Sequence, residues 1–128
     1  MYIRFVVFEK DTDSHKRKGL FIALSELQDA GELSEDEEKQ AKELSKWFAN
    51  NLKKPDSFTT SKKHHALNKA ISWFKPAAKK HISRMREIVT ILEAHDIIVD
   101  YVKTNNPGYI VYEDDFQVTA EPFKETKT

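Results

Sequence analysis

The chain contains no cysteine, which excludes disulfide bonds and metal sites built from thiolates. This composition fits a reducing compartment, so we expect a cytoplasmic protein. Only three glycines occur among 128 residues, and neither the GxxxxGKS/T pattern nor the GxGxxG pattern is present. A glycine-rich loop that cradles phosphate is therefore not predicted, and no other motif indicates a cofactor.

Long apolar runs are also missing, since none approaches the roughly 18 residues of a membrane-spanning helix. Residues 1–8 are apolar, but they carry neither a basic leader nor a small-residue cleavage site, so they predict a strand and not a signal peptide. We expect no membrane partner. With 39% hydrophobic residues, the chain is long enough to bury a core. We predict one domain over residues 1–123 and a frayed polar tail over residues 124–128.

The first half of the chain predicts a strand followed by a helical hairpin. Residues 2–8 read as a strand that only Arg4 interrupts. Apolar residues at helical spacing predict a helix from residue 15 to residue 30, with Gly31 just beyond its end. Ser34 and Glu37 are spaced as a capping box, which predicts the start of a second helix.

The second half predicts a loop over residues 53–68, a strand over 69–74 and a third helix with Pro76 at its first position. Three strands follow, over residues 97–102, 109–112 and 116–120. The order β-αα-β-α-β-β-β indicates an α+β fold: a two-layer sandwich of a mixed, mainly antiparallel sheet with three helices on one face. Strands 69–74 and 97–102 would be parallel if they were adjacent.

The net charge is zero, but acidic and basic residues are grouped in separate stretches of the chain. Residues 53–86 hold ten lysines and arginines against one acid, whereas residues 26–52 hold eight acids against three lysines. Residues 87–128 hold nine acids against three lysines. A chain of neutral overall charge can therefore present a strongly cationic face.

The third helix reverses the usual charge preference, because helix N-termini favour negative side chains. Cations there and in the preceding loop predict a site for phosphate, carboxylate or a nucleic-acid backbone. The predicted anion-binding residues are Lys62, Lys63, Lys75, Lys79, Lys80, Arg84 and Arg86. The alternative is that acids of the second helix, or of the turn at residues 113–115, neutralise this patch within the fold.

Histidines and tryptophans supply the remaining candidates. His81 lies beside the basic block and is the best candidate for a catalytic acid or base, although no nucleophile or carboxylate is tied to it by pattern. His64 and His65 are adjacent in a basic loop, and we predict no metal site there. Trp73 is a candidate for stacking on a base if exposed, with burial in the core as the alternative.

Short motifs spread over most of the chain resemble a family of uncharacterised bacterial proteins of about this length, to which no activity is assigned. The resemblance implies a bacterial protein and transfers no catalytic residue. The motifs that carry it are Arg4-Phe5-Val6-Val7, Trp73-Phe74-Lys75, Arg84-Met85-Arg86-Glu87, Pro107-Gly108-Tyr109 and Ala120-Glu121-Pro122-Phe123.

Three functional hypotheses follow. The first is a small binding or regulatory protein whose basic patch engages an anionic partner, either nucleic acid or a phosphorylated ligand. The second is an enzyme or ligand-binding domain for an anionic small molecule, with His81 as acid or base and without a cofactor. The third is an oligomerising protein, in which acidic and basic blocks of two copies meet. Sequence leaves the oligomeric state open.

Overall fold

The computed structural model describes residues 1–10, 17–54 and 70–128. Within them, an antiparallel sheet packs against helices, which confirms the predicted α+β class. The strands are β1 (Tyr2–Lys10), β2 (Arg17–Gly19), β3 (Ile71–Phe74), β4 (Val99–Thr104), β5 (Tyr109–Glu113) and β6 (Gln117–Glu121). The helices are α1 (Leu20–Asp29), α2 (Glu35–Asn51) and α3 (Lys79–Ala94).

Strand β1 is the hub of the sheet, because it pairs with three other strands. Along one side it pairs with β4 over six residue pairs, from Tyr2 opposite Thr104 to Val7 opposite Val99. On its other side it pairs with β3 at Ile3 and with β2 further along. From β3 the sheet continues through β6 to β5.

The described strand pairs are all antiparallel. Since β3 and β4 both run antiparallel to β1, they point the same way. They are nevertheless not neighbours, because β1 lies between them, and α3 connects them across it. The parallel pair considered for these two strands is therefore absent from the described sheet.

Side chains alternate along β1 and so divide the sheet into two faces. The odd-numbered residues Ile3, Phe5 and Val7 join the core that α1, α2 and α3 cover, which we call the helix-covered face. The even-numbered residue Val6 joins a smaller cluster with Trp73 and its neighbours on the opposite side, which we call the second face. This cluster consists of Val6, Ile71, Trp73, Val102 and Val118, with Tyr2 and Ile110 packed against it.

Local signals at the helical hairpin are confirmed. Gly31 follows α1 with a φ of 69°, a left-handed conformation that glycine adopts without the Cβ penalty. The Ser34 hydroxyl accepts a hydrogen bond from the Glu37 amide at 3.2 Å, and the Ser34 amide donates to the Glu37 carboxylate at 2.9 Å. This is the predicted capping box, and four acids fill the first turn of α2.

Two helix starts differ from the prediction. Residues 17–19 form β2 and not helix, because they pair with β1, and α1 begins only at Leu20. Pro76 is not the first residue of α3. The Lys75 carbonyl accepts a hydrogen bond from the Ala78 amide at 3.0 Å, so Pro76 lies within a turn and the helix begins at Lys79.

The tail predicted to be frayed makes specific contacts. The Thr126 hydroxyl donates to the Asn106 carbonyl at 3.3 Å, and the main-chain oxygen of Thr128 accepts from Arg4 at 3.0 Å. Where the tail begins, Gly108 approaches the main chain of Glu121 so closely that a Cβ would overlap it, and Gly108 has a φ of 118°. Only glycine fits this position without distorting the chain. Within the described residues, no helix is both long and apolar enough to span a membrane.

Candidate anion-binding surface

The N-terminus of α3 is cationic and has no side-chain cap. Ala78 occupies the cap position, where its methyl group accepts no hydrogen bond, and the first turn contains no acid. Lys79 and Lys80 lie in this turn and are exposed. Helix α2 shows the opposite arrangement, with a capping box and four acids. At the N-terminus of α3, the helix dipole and the lysines therefore contribute charge of the same sign. At the N-terminus of α2, the four acids offset the positive end of the dipole.

The exposed side of α3 and the neighbouring strand β4 carry five cations, which we call the α3 ridge. They are Lys79, Lys80, Arg84 and Arg86 on the helix and Lys103 on β4. Lys80 and Arg84 are four residues apart and share one flank, whereas Lys79 and Arg86 are seven apart and share the other. The four members of the predicted patch that lie on α3 therefore form two rows along this helix.

Arg84 belongs to the row that faces α2. Its guanidinium carbon lies 5.5 Å from the ring centre of the half-buried Trp47, which is within the range of a cation–π contact. The same guanidinium pairs with Glu87 at 3.0 Å. Both members of this ion pair are exposed, so the pair contributes little to stability, and an incoming anion can compete for Arg84.

Arg86 belongs to the row that faces β4. Its guanidinium carbon lies 5.9 Å from the ring centre of Tyr101, and the ammonium of Lys103 lies 5.0 Å from the same ring. Tyr101 is 37% exposed and also packs on Phe5, with ring centres 5.1 Å apart. Two cations thus converge on one accessible ring.

Lys75 does not contribute a free charge to this surface. Its ammonium pairs with the Glu113 carboxylate at 2.6 Å. The hydrogen bond to Glu113 raises the pKa of Lys75 above its usual value. For this one residue, the acidic turn neutralises the basic block as the alternative interpretation expected. Lys62, Lys63, His64 and His65 lie outside the described residues.

The turn between β5 and β6 is tied to the end of α2. The Asp114 carboxylate accepts hydrogen bonds from the amides of Phe116 and Gln117 at 2.9 and 3.0 Å and from the Tyr112 hydroxyl at 2.9 Å. Burial opposes ionisation of Asp114, but these bonds together outweigh it and lower its pKa. The Gln117 side chain donates to both Asp114 and the Lys53 carbonyl, which joins the turn to α2.

His81 is buried where α2 and α3 meet, and it is 4% exposed. Its Nε2 lies 2.8 Å from the Asn51 carbonyl oxygen, and a carbonyl only accepts, so Nε2 carries the proton and donates. The imidazole ring also contacts the rings of Trp47 and Phe116, with centres 4.9 and 4.4 Å away. This environment favours a role in positioning the two rings over proton transfer to a solvent-borne substrate.

Trp73 is unavailable for stacking on a base. It is 1% exposed because β3 places it on the second face, inside the cluster of Val6 and Val118. Trp73 therefore lies in the core, which was the alternative to stacking on a base. The half-buried Trp47 and the exposed Tyr101 are the aromatic residues next to the α3 ridge, and sequence reasoning did not single out either as a binding residue.

A groove of about 420 Å³ lies between β1, α1 and the turn that follows α3. Lys18 pairs there with Glu9 and Glu26, both at 3.0 Å. His81, Lys75 and Arg84 are not among its lining residues, which are Val7, Phe8, Glu9, Ala23, Glu26, Leu27, Asp96, Ile97 and Ile98. In the described part of the chain, no cluster of three or more His, Asp or Glu side chains is arranged to hold a metal ion.

Sequence reasoning also missed a pair of arginines on the second face, Arg4 and Arg17. Arg17 pairs with the Asp100 carboxylate at 2.8 Å, and this hydrogen bond lowers the pKa of Asp100. Arg4 donates to the main-chain oxygens of Thr128 and Arg17. The available signal was that Arg4 is the single charge within an otherwise apolar strand.

Comparisons of this chain with protein-family models, with curated proteins and with solved structures found no match. The resemblance to a bacterial family therefore remains a prediction, and each functional residue rests on the geometry described above.

Proposed function

We propose that this protein binds nucleic acid through the α3 ridge, mainly by contacts to the phosphate backbone. The observation that carries the proposal is the pair of exposed lysines, Lys79 and Lys80, in the uncapped first turn of α3. Their charge adds to the positive end of the helix dipole, and no acid of that turn opposes it. Arg86 and Lys103 extend the same positive surface toward β4.

The rings beside the ridge favour single-stranded nucleic acid over a duplex. Tyr101 is accessible between Arg86 and Lys103, and Trp47 lies next to Arg84. Surfaces that bind single strands combine a basic track with aromatic rings on which bases stack. A rigid duplex would engage only the lysines and arginines, because its bases are already stacked on one another.

The proposal is tested by fluorescence anisotropy with a labelled single-stranded oligonucleotide, titrated from low to physiological salt. The test variant is Lys79→Gln, Lys80→Gln, Arg86→Gln, which removes three ridge charges. The matched control is Lys39→Gln, Lys42→Gln, Lys46→Gln, which removes three exposed lysines of α2 and changes the net charge by the same amount.

We expect the wild type to bind with an affinity that falls steeply with salt, because binding releases condensed counterions. The ridge variant should lose about 2 from the slope of log K against log salt, since each phosphate contact on a single strand contributes about 0.7. The α2 control should keep the wild-type slope. Equal effects of the two variants, or no binding at about 50 mM salt, would overturn the proposal.

A further inference from the structure

The groove between β1, α1 and the turn after α3 combines apolar and acidic residues, and nucleic-acid binding at the α3 ridge does not use it. Its lining in the described part of the chain consists of six apolar residues and three acids, Glu9, Glu26 and Asp96, with no cation. A volume of about 420 Å³ lies within the range of small-molecule sites, which are mostly apolar and hold a few polar groups. The composition favours a ligand that is both apolar and positively charged.

Two of the apolar lining residues are largely exposed to water. Phe8 is 59% exposed and Ile98 is 68% exposed, whereas Val7 and Ala23 of the same groove are buried in the core. Large apolar side chains at the surface beside a concavity are typical of places where a ligand or partner binds. A ligand that covers Phe8 and Ile98 removes apolar area from water, which stabilises the complex.

The negative charge of the groove is only partly balanced by the protein. The ammonium of Lys18 pairs with both Glu9 and Glu26, so one cation serves two carboxylates. The hydrogen bond to Glu26, followed by that to Glu9, raises the pKa of Lys18 above its usual value. Among the described residues, no other cation pairs with a lining carboxylate, and the carboxylate of Asp96 has no partner. Three carboxylates against one ammonium leave two negative charges in excess.

Arg17 is the other cation close to this groove, and it is already paired. Its guanidinium carbon lies 5.7 Å from the ring centre of Phe8. The same guanidinium forms an ion pair with Asp100 at 2.8 Å. Arg17 therefore does not neutralise the carboxylates that line the groove.

The position of Asp96 is one that glycine usually occupies. Asp96 follows the end of α3 with a φ of 63°, and the Ile97 amide donates to the Leu92 carbonyl at 3.1 Å, as in helices that end with a left-handed residue. Glycine adopts this conformation without the penalty that a Cβ brings. The chain thus places a carboxylate beside the groove although glycine would fit the backbone better.

We propose that this groove binds a small organic cation, in which a primary ammonium group is attached to an apolar chain or ring. The ammonium has three donors and no acceptor, which suits the unpaired carboxylate of Asp96. The apolar part covers Phe8 and Ile98. The groove shares no lining residue with the α3 ridge and attracts ions of the opposite sign, so the two proposals can fail separately.

The experiment compares three probes that share one apolar chain: hexylammonium, hexanol and hexanoate. Each is titrated at constant ionic strength into the full-length protein, and NMR follows the methyl signals of Leu27, Ile97 and Ile98. Hexylammonium should shift these signals and saturate them in the millimolar range. Hexanol should bind at least about tenfold more weakly because it lacks the charge, and hexanoate more weakly still. The absence of saturation with hexylammonium, or equal binding of hexanoate, would overturn the proposal.

Variants separate this site from a general attraction of cations. Asp96→Asn removes the charge and keeps a side chain that tolerates the left-handed conformation, so it should weaken hexylammonium at least about threefold and leave hexanol unchanged. The matched control Glu43→Gln removes one exposed acid of α2 and should change neither. Ile98→Ser removes an apolar contact at an exposed position and should weaken both probes. Equal effects of Asp96→Asn and Glu43→Gln on hexylammonium would contradict the assignment.

A second copy of the chain is the alternative occupant of the groove. Sedimentation of the wild type and of Ile98→Ser, without added probe, distinguishes it. We expect both proteins to have the same mass at all concentrations. A wild-type dimer that Ile98→Ser dissociates would assign the groove to self-association and would overturn the proposal of a small-molecule site.

Discussion

On the helix-covered face, β1 contributes Ile3, Phe5 and Val7 to a core shared with three helices, whereas on the second face it contributes Arg4 and Val6 to a smaller cluster around Trp73. The first set is entirely apolar. The second contains a charged group and, in Trp73, a donor without a partner. Two rows of one strand therefore bury groups of very different chemistry.

The difference suggests a division of roles along β1. A core that only stabilises gains most from apolar side chains that fill space, because burying polar groups adds a desolvation cost. The helix-covered face follows this rule. The second face departs from it at Arg4 and Trp73, and departures from local consistency occur preferentially at functional sites. Three substitutions measure how far this division holds.

The largest effect is expected on the helix-covered face. Leu92 is fully buried there, so Leu92→Ala should lower the free energy of unfolding by about 3–4 kcal/mol through lost burial and the cavity left behind. Chemical denaturation measures this change. Leu33→Ala is the control, because Leu33 is only half-buried at the edge of the same core, and it should cost much less. A loss below about 1 kcal/mol for Leu92→Ala would contradict the assignment of this face as the main source of stability.

An intermediate effect is expected at Asp114, beside the end of α2. Its folded-state pKa lies below the unfolded value of about 3.9, so its contribution to stability is present above that pH and is lost as the pH falls through the folded pKa. Asp114→Asn should therefore cost about 1–2 kcal/mol at pH 7, and the difference from the wild type should shrink in acid. Denaturation at pH 7 and pH 3 tests this.

Asp115→Asn serves as the control for that measurement, since Asp115 is an exposed neighbour in the same turn. It should leave the stability and its pH dependence nearly unchanged. A difference between Asp114→Asn and the wild type that stays constant from neutral to acid pH would show that the hydrogen bonds do not depend on the ionised carboxylate.

The smallest effect is expected at Arg4 itself. Arg4→Met keeps the apolar volume and removes the cost of burying a charge, but it also removes the hydrogen bonds to the main-chain oxygens of Thr128 and Arg17. Because these two effects oppose each other, the free energy of unfolding should change by less than about 1 kcal/mol. Val6→Ala, at the fully buried neighbour on the same face, should cost about 2 kcal/mol in the same assay. A loss above about 3 kcal/mol for Arg4→Met would show that the guanidinium holds the second face together, and the contrast between the faces would fail.

Features of the fold that depend on nearby residues could be predicted from the sequence. The capping box of Ser34 and Glu37 and the glycine after α1 are examples, because their partners lie within a few positions along the chain. Strand β2 could not be found in this way. Its three residues, Arg17, Lys18 and Gly19, have no alternating apolar pattern, and pairing with β1 makes them a strand.

The sequence predicted which stretch of the chain supplies the cations of the candidate site. It did not predict which residues those cations contact in the fold. The charge block correctly located lysines and arginines on α3, because sequence neighbours on a helix stay neighbours in space. The pairing of Lys75 with Glu113 joins residues 38 positions apart. The sequence indicated the turn at residues 113–115 as a possible source of neutralising acids, but it did not indicate which cation they pair with. Arg4 was visible as an interruption of an apolar strand, but its contact with Thr128 spans 124 positions.

The central place of β1 has a consequence for biosynthesis. Strand β4, which pairs with β1 over six residue pairs, comes about 95 residues later in the chain, and β3 comes about 70 residues later. Apart from the short pairing with β2, a chain that emerges from the ribosome therefore exposes an apolar strand with unpaired edges until most of the polypeptide has been made. Such edges invite pairing with other chains. We expect nascent chains that stop before Val99 to need a chaperone on this segment, and closure of the sheet to await the last strands.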